Sequence, residues 1–289
     1  MVAMNHGLYF PNFGHFGDAS VVAQWAARAE AAGWHGFFIW DHIARPFVVD
    51  VVDPCVALAA AAVATRRLRL GALVTPLPRR RPQKFARESA SLDRLSDGRL
   101  VVGVGTGSAG GADCEWADFG EEPDAKKRGA MLDEALEVVT GLWRGGPFSF
   151  EGRYYRAREA HFLPTPAQSP RIPIWVGGYW SNRAPLRRAA RYDGVFPLLR
   201  GEGGPARQLR ALVDRVRQER QDLGLASAPF DVVYPTASPV SDPLSLETLA
   251  EVGVTWRLAM MDPPAFGGSW TRWPLAAMTE FVDAGPPAR

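Results

Sequence analysis

The feature that most constrains this chain is a repeated alternation of short apolar runs with longer helical patterns. Apolar runs fall at residues 7–10, 36–40, 68–74, 99–104, 172–176, 194–197, 230–235 and 255–261. The first helical pattern carries Val21, Val22, Trp25, Ala26 and Ala29 at helical spacing, with Asp18 as N-cap and Gly33 as stop. Others cover 54–64, 82–95, 125–143, 182–191, 205–223 and 275–282, and residues 244–252 separate the last two runs. The runs are apolar throughout instead of alternating, as parallel strands covered on both faces require. Strands that alternate with helices form a parallel α/β fold. Eight such units in 289 residues favour a closed (β/α)8 TIM barrel, a fold that typically takes about 250 residues in one piece, over an open doubly wound sheet. The expected organisation is one barrel domain over residues 1–289. Residues 147–158 break the rhythm: Phe148, Phe150, Tyr154 and Tyr155 around Glu151-Gly152 read as an inserted β-hairpin.

Charge narrows the partners. The 33 basic and 31 acidic residues nearly balance, which argues against nucleic acid, whose phosphates call for a clustered basic surplus. The dense run Arg79-Arg80-Arg81, between Pro78 and Pro82, reads as a solvated loop. Cys55 and Cys114 are too few for a disulfide framework and read as buried bystander thiols. No run of about 20 apolar residues suits a membrane span, and no basic-then-apolar leader is seen. A cytoplasmic protein without membrane contact is expected. The five histidines show no HxH or HExxH spacing, so no metal site is expected.

A barrel of this kind builds its active site at the C-terminal ends of its strands. There stand Pro11 and Asn12, Asp41-His42, Thr75-Pro76, the stretch from Gly105 to Ser108, and Gly177-Gly178. His42 is a candidate proton donor or acceptor near neutral pH, or a structural histidine bonded to a loop. Asp41 either orients it or caps a turn. Residues 103–111 are glycine-rich but do not open into a helix as a dinucleotide fingerprint must, and they read as a broad loop over a ligand. Gly177-Gly178, followed by Ser181 and a helix, suits a phosphate at a helix N-terminus; the plainer reading is a tight turn with Ser181 as N-cap. With no GxSxG elbow either, a bound organic cofactor is the natural source of the chemistry.

These residues resemble a known family. Trp-Asp-His at 40–42, LGALVTPLPRRRP at 70–82, SLDRLSDGRLVVGVGTG at 91–107, RGAMLDEALEVVTGLW at 128–143, the aromatic hairpin at 148–155 and RIPIWVGG at 171–178 are similar to the bacterial-luciferase-like flavin- and F420-dependent oxidoreductases. The resemblance implies a cofactor ring at the strand C-termini, with His42 and Asp41 in the catalytic positions. It implies cofactor contacts from Trp40, Ala72, Leu73, Val74, Thr106, Arg128, Gly177, Gly178 and Ser181. A cis non-proline peptide near Leu73-Val74 is implied behind the ring. Phe10, Asn12, Ser108 and Trp180 are expected to line the substrate pocket. Ser108 stands where F420 enzymes acting on sugars carry a glutamate, which points away from sugars. The implied activity is oxygenation of a small organic substrate by reduced FMN and dioxygen, FMN being the favoured cofactor; the alternative is hydride transfer at C5 of F420. A separate flavin or F420 reductase and a homodimer are the partners the family suggests. Three rival readings remain: an NAD-dependent dehydrogenase using residues 103–111, a non-catalytic flavin-binding or accessory protein, and a cofactor-free relative with Tyr179 or Trp180 in the ring site.

Overall fold

In the computed structural model, the structure describes residues 4–107, 114–179 and 181–287. Each apolar run becomes a strand, and each is followed by at least one helix. In chain order these are β1 (Asn5–Phe10), α1 (Ala19–Ala31), β2 (Gly36–Ile39), α2 (Pro54–Ala64), β3 (Arg69–Ala72), β4 (Thr75–Pro76), α3 (Pro82–Leu95), β5 (Val102–Gly105), α4 (Cys114–Ala117) and α5 (Ala125–Leu142). The chain continues with β6 (Phe148–Glu151), β7 (Arg156–Ala160), β8 (Ile174–Tyr179), α6 (Arg183–Ala189), β9 (Gly194–Leu198), α7 (Gly204–Asp222), β10 (Asp231–Thr236), α8 (Leu246–Glu251), β11 (Trp256–Met260) and α9 (Leu275–Asp283). The sheet runs β3-β2-β1-β11-β10-β9-β8-β5-β4, and every ladder in it is parallel.

β3 and β4 are two pieces of one stave, so the sheet returns on itself. Leu70 pairs with Leu100, its N–H donating to the Arg99 carbonyl at 3.1 Å and its carbonyl accepting from Val101 at 2.8 Å. Beyond the interruption Thr75 pairs with Val104. The result is the expected TIM barrel. β6 and β7 form the separate antiparallel hairpin, with Phe148 opposite Ala160.

Two layers of apolar side chains follow from the pleat of each strand. Tyr9, Phe38, Leu73, Trp175, Phe196, Val233, Trp256 and Leu258 fill the barrel interior. Leu8, Phe10, Phe37, Ile39, Leu70, Val104 and Val176 face the helices instead. Phe10 is fully buried against Phe16, Trp25 and Phe37. Its placement in the substrate pocket is therefore corrected: successive strand residues point to opposite faces, and Tyr9 holds the inward position.

The glycines of β5 also change meaning. Gly103 and Gly105 are strand residues, not part of a loop over a ligand. A Cβ on Gly103 would lie 2.5 Å from Leu73 Cδ2 and 2.6 Å from the Ala72 carbonyl oxygen. The neighbouring stave bulges inward here, and the Leu73–Val74 peptide is cis, as the resemblance implied. Among the described residues no helix is long and apolar enough to cross a membrane.

This packing makes a stability prediction. Gly103→Ala should destabilise the fold by about 1–3 kcal/mol, the usual cost of overpacking. Gly146→Ala, where a Cβ meets nothing within 4 Å, should be neutral or slightly stabilising. Urea denaturation of both variants checks this; equal midpoints would refute the close approach.

Candidate functional site

The C-terminal ends of β1 and β2 bring four chemistry-bearing side chains together. Tyr9, the last inward residue of β1, is buried, and its hydroxyl donates to the Leu73 carbonyl across the mouth. Burial, reinforced by the Asp41 charge, pushes its phenol well above the usual range. Trp40 packs against Tyr9, Phe13, His42 and Trp270, with ring centroids 5.7–5.9 Å apart. Its indole N–H is buried and meets no hydrogen-bond acceptor among the described residues.

His42 is the reactive candidate, and Glu115 orients it. His42 Nδ1 lies 3.1 Å from Glu115 Oε2; the imidazole is 23% exposed and the carboxylate 4%. The histidine thus reaches solvent while its partner does not. Glu115 also accepts from the backbone N–H groups of Ile43 and Ala44 and, at 3.0 Å, from Arg79 Nη1. Burial raises the Glu115 carboxyl, but the His42 hydrogen bond and charge, the Ala44 N–H and Arg79 overcome it and hold the group down at about 2. It is a carboxylate throughout the physiological range.

Asp41 is therefore corrected as the orienting acid. Its carboxylate accepts from the Thr75 hydroxyl at 2.6 Å, from Arg79 at 2.8 Å and from Arg80 at 3.1 Å. With its oxygens committed to these donors it does not reach His42. The solvated-loop reading of the arginine run changes too: the Arg79 side chain is only 2% exposed and bridges Asp41 to Glu115. Arg80 pairs with Asp41 and Glu88, and Arg81 alone is solvent-facing.

Other expected site residues divide. Asn12 is buried, its amide donating to the carbonyls of His42 and Val52 at 2.8 Å while its oxygen accepts from the His42 N–H. It clamps the loop that carries His42 and has nothing left for a substrate, which corrects its pocket assignment. Ala72 faces α2 and α3, lining a small cavity with Pro54, Leu58 and Phe85; only its backbone adjoins the mouth. Leu73 lies in the interior cluster and Val74 packs against it.

Arg128 is buried, with Nε donating to the Thr106 carbonyl at 3.0 Å and Nη1 to those of Glu122 and Pro123, its guanidinium 4.6 Å above the Trp116 ring. These bonds tie it to the loop after β5, where it holds Thr106. Gly177 and Gly178 lie inside β8, not in a turn after it. A Cβ on Gly177 would sit 2.6 Å from Val74 Cγ1. Ser181 is exposed, and Asn182, not Ser181, is the N-cap residue of α6. Ser108 and Trp180 lie outside the described residues.

Sequence reasoning did not find Glu115, Tyr9, Arg45 or the role of Arg79. Glu115 follows a glycine-rich stretch with no periodicity to place it. The available signal was Arg79-Arg80 at the end of one strand, facing the Asp41-His42 pair at the end of its neighbour. Two guanidiniums beside one carboxylate imply a further buried acid.

Comparison with known proteins adds the following. Residues 9–267 match the model of the luciferase-like monooxygenase family. An uncharacterized protein of Mycobacterium tuberculosis is 37% identical over 236 residues, covering 74% of this chain and 76% of that one. The F420-dependent glucose-6-phosphate dehydrogenase of Kineococcus radiotolerans is 33% identical, covering 91% of this chain and 84% of its own. Among solved structures, an F420-dependent secondary alcohol dehydrogenase superposes with a TM-score of 0.78 at 17% identity, covering 99% of both chains. The monooxygenase RslO1 from Streptomyces bottropensis gives 0.68 at 24% identity, covering 97% of this chain and 81% of that one. At these identities the two structures carry the fold alone.

The Glu115 contacts predict a pH signature. A carboxyl held low in the folded state contributes stability that is present above its unfolded value, near 4.5, and is lost as pH falls toward about 2. The stability gap between the native protein and Glu115→Gln should be widest above pH 5, about 1–3 kcal/mol, and should close as pH approaches 2. Guanidinium denaturation across that range measures it; a gap independent of pH would show that the carboxylate is not ion-paired.

Proposed function

Because this chain belongs to the luciferase-like monooxygenase family, we propose that it is an oxidoreductase whose redox group is a flavin-type ring at the barrel mouth, coenzyme F420 in first place. The observation that carries this reading is the His42–Glu115 pair beside the unsatisfied indole N–H of Trp40. A buried donor without a partner is costly, and a ring carbonyl oxygen of a flavin or deazaflavin would satisfy it. The residues present thus fit such a group. Trp40, the Leu73–Val74 peptide, Thr106 and the segment of Gly177, Gly178 and Ser181 would hold it.

F420 takes precedence over the FMN favoured by the sequence because the named relatives at 30–34% identity are F420-dependent dehydrogenases. When bound, F420 would supply the hydride acceptor for a substrate carbon. His42 takes the proton released by the substrate hydroxyl at Nε2, with Nδ1–H donating to Glu115. The anionic Glu115 stabilises the imidazolium that results. Tyr9, Trp40, Phe13 and Trp270 form the apolar wall that keeps water from the reacting atoms. The family's description as monooxygenases supports a second reading, reduced FMN with dioxygen in the same seat. A dedicated reductase partner, a cytoplasmic location and a homodimer belong to this proposal as well.

Anaerobic titration with F420 and FMN, each oxidised and reduced, tests it by fluorescence and absorbance. Micromolar or tighter binding of F420 supports hydride transfer, and binding of reduced FMN alone moves the assignment to oxygenation. If neither binds, the proposal fails. Loss of general base catalysis in His42→Gln should slow turnover by about 10²–10⁴-fold while leaving cofactor affinity unchanged; unaltered turnover would remove His42 from the mechanism.

A further inference from the structure

We propose that Arg45 anchors a carboxylate on the substrate, so that this enzyme acts on apolar organic acids; the inference rests on the reading of the barrel mouth as the reaction site. Arg45 lies three residues past His42. Its Nη1 is 3.2 Å from His42 Nδ1 and 3.3 Å from Nε2, and its guanidinium sits 4.8 Å above the Phe13 ring. The Nε atom is buried and has no hydrogen-bond partner among the described residues.

Arg79 pairs with Asp41 and Glu115, Arg80 with Asp41 and Glu88, and Lys84 with Glu88. Arg45, in contrast, makes no ion pair among the described residues. Asp118 lines the same surface depression but makes no ion pair with it. A guanidinium beside an imidazole and two phenyl rings, with a desolvated N–H unmet, is arranged for an anion. Its Nε–Nη edge matches a planar carboxylate in two parallel hydrogen bonds.

The depression beside Arg45 is walled by Ile43, Phe47, Val48 and Phe119, whose exposures of 44%, 41%, 107% and 58% are high for such side chains. An apolar substrate body would cover them while its carboxylate met Arg45. The same contact has a consequence for His42. With the Arg45 N–H groups turned to a carboxylate, the imidazole Nε2 gives up its competing donor and is free to take a proton. Substrate binding and exposure of the base are then one event.

The test compares charged and neutral partners of one shape. Benzoate against benzamide, and octanoate against octanamide, are titrated into the protein with and without bound cofactor, following tryptophan fluorescence. Native protein should bind at least one acid roughly tenfold or more tightly than its amide, the scale of a charge-assisted pair. Arg45→Gln should abolish that preference, and Arg45→Lys should keep part of it. No preference in either pair, or a preference that survives in Arg45→Gln, overturns the proposal. A preference for phenyl phosphate over benzoate overturns the carboxylate class. If FMN loses its advantage over riboflavin in Arg45→Gln, the anion belongs to the cofactor and the proposal also falls. These binding results stand apart from the redox assignment: cofactor binding without acid preference sinks this inference alone, and failure of both cofactors sinks the reading beneath it.

Discussion

A guanidinium buried between two carboxylates holds the top of this barrel together. Arg79 reaches Asp41 at the end of β2 and Glu115 at the start of the helix after β5. Three loops that are far apart in sequence thereby share one ion-paired node. Its side chain is almost wholly removed from water, so the pairs are unscreened and the desolvation cost of all three charges is real. Such a node adds little net stability over an apolar replacement. Its value is geometric, because the charges have no other low-energy arrangement. Glu115, fixed from below by Arg79 and by the Ile43 and Ala44 N–H groups, has one direction left, and His42 occupies it.

The loop carrying His42 is fixed from its other side by Asn12, whose amide spans the His42 backbone and the Val52 carbonyl. A residue that sequence position alone puts in the pocket thus works one step behind it. Asp41 shows the same displacement: it stands just past the end of β2 and spends its carboxylate on Thr75, Arg79 and Arg80. In a barrel mouth the loops are long and their backbone groups need partners, so many of the polar residues near the strand ends serve the loops. Among the described residues near the strand ends, those with unmet or half-exposed polar atoms are fewer: His42, Arg45, Asp262 and the indole of Trp40.

This division explains what could be read from the sequence. Strand and helix order was legible because apolar runs and helical spacing are local signals, while counting units favoured closure without proving it. His42 was legible because it terminates a strand beside Trp40. Phe10 and Tyr9 could not be told apart, since a strand buried on both faces carries no alternation to reveal which residue points inward. Glu115 was hidden because its partner lies 73 residues away. The glycines of β5 looked like a ligand loop, yet Gly103 is small because Leu73 and the Ala72 carbonyl crowd it. A glycine records that something comes close, not whether that something is a ligand or another strand.

The two ends of the barrel put carboxylates to opposite uses. At the N-terminal end of β10, Asp231 accepts from the Thr255 hydroxyl at 2.7 Å and the Trp175 indole at 3.2 Å. Burial raises its carboxyl, and these neutral donors offset only part of the rise. At the C-terminal end Glu115 is buried but faces a guanidinium and an imidazole, and its carboxyl is held low. Neutral partners suit a carboxylate that ties strands together. A fixed anion aimed at a half-exposed histidine does something different, since it sets the orientation of the imidazole. That asymmetry, not the presence of acids as such, distinguishes the two ends of the barrel.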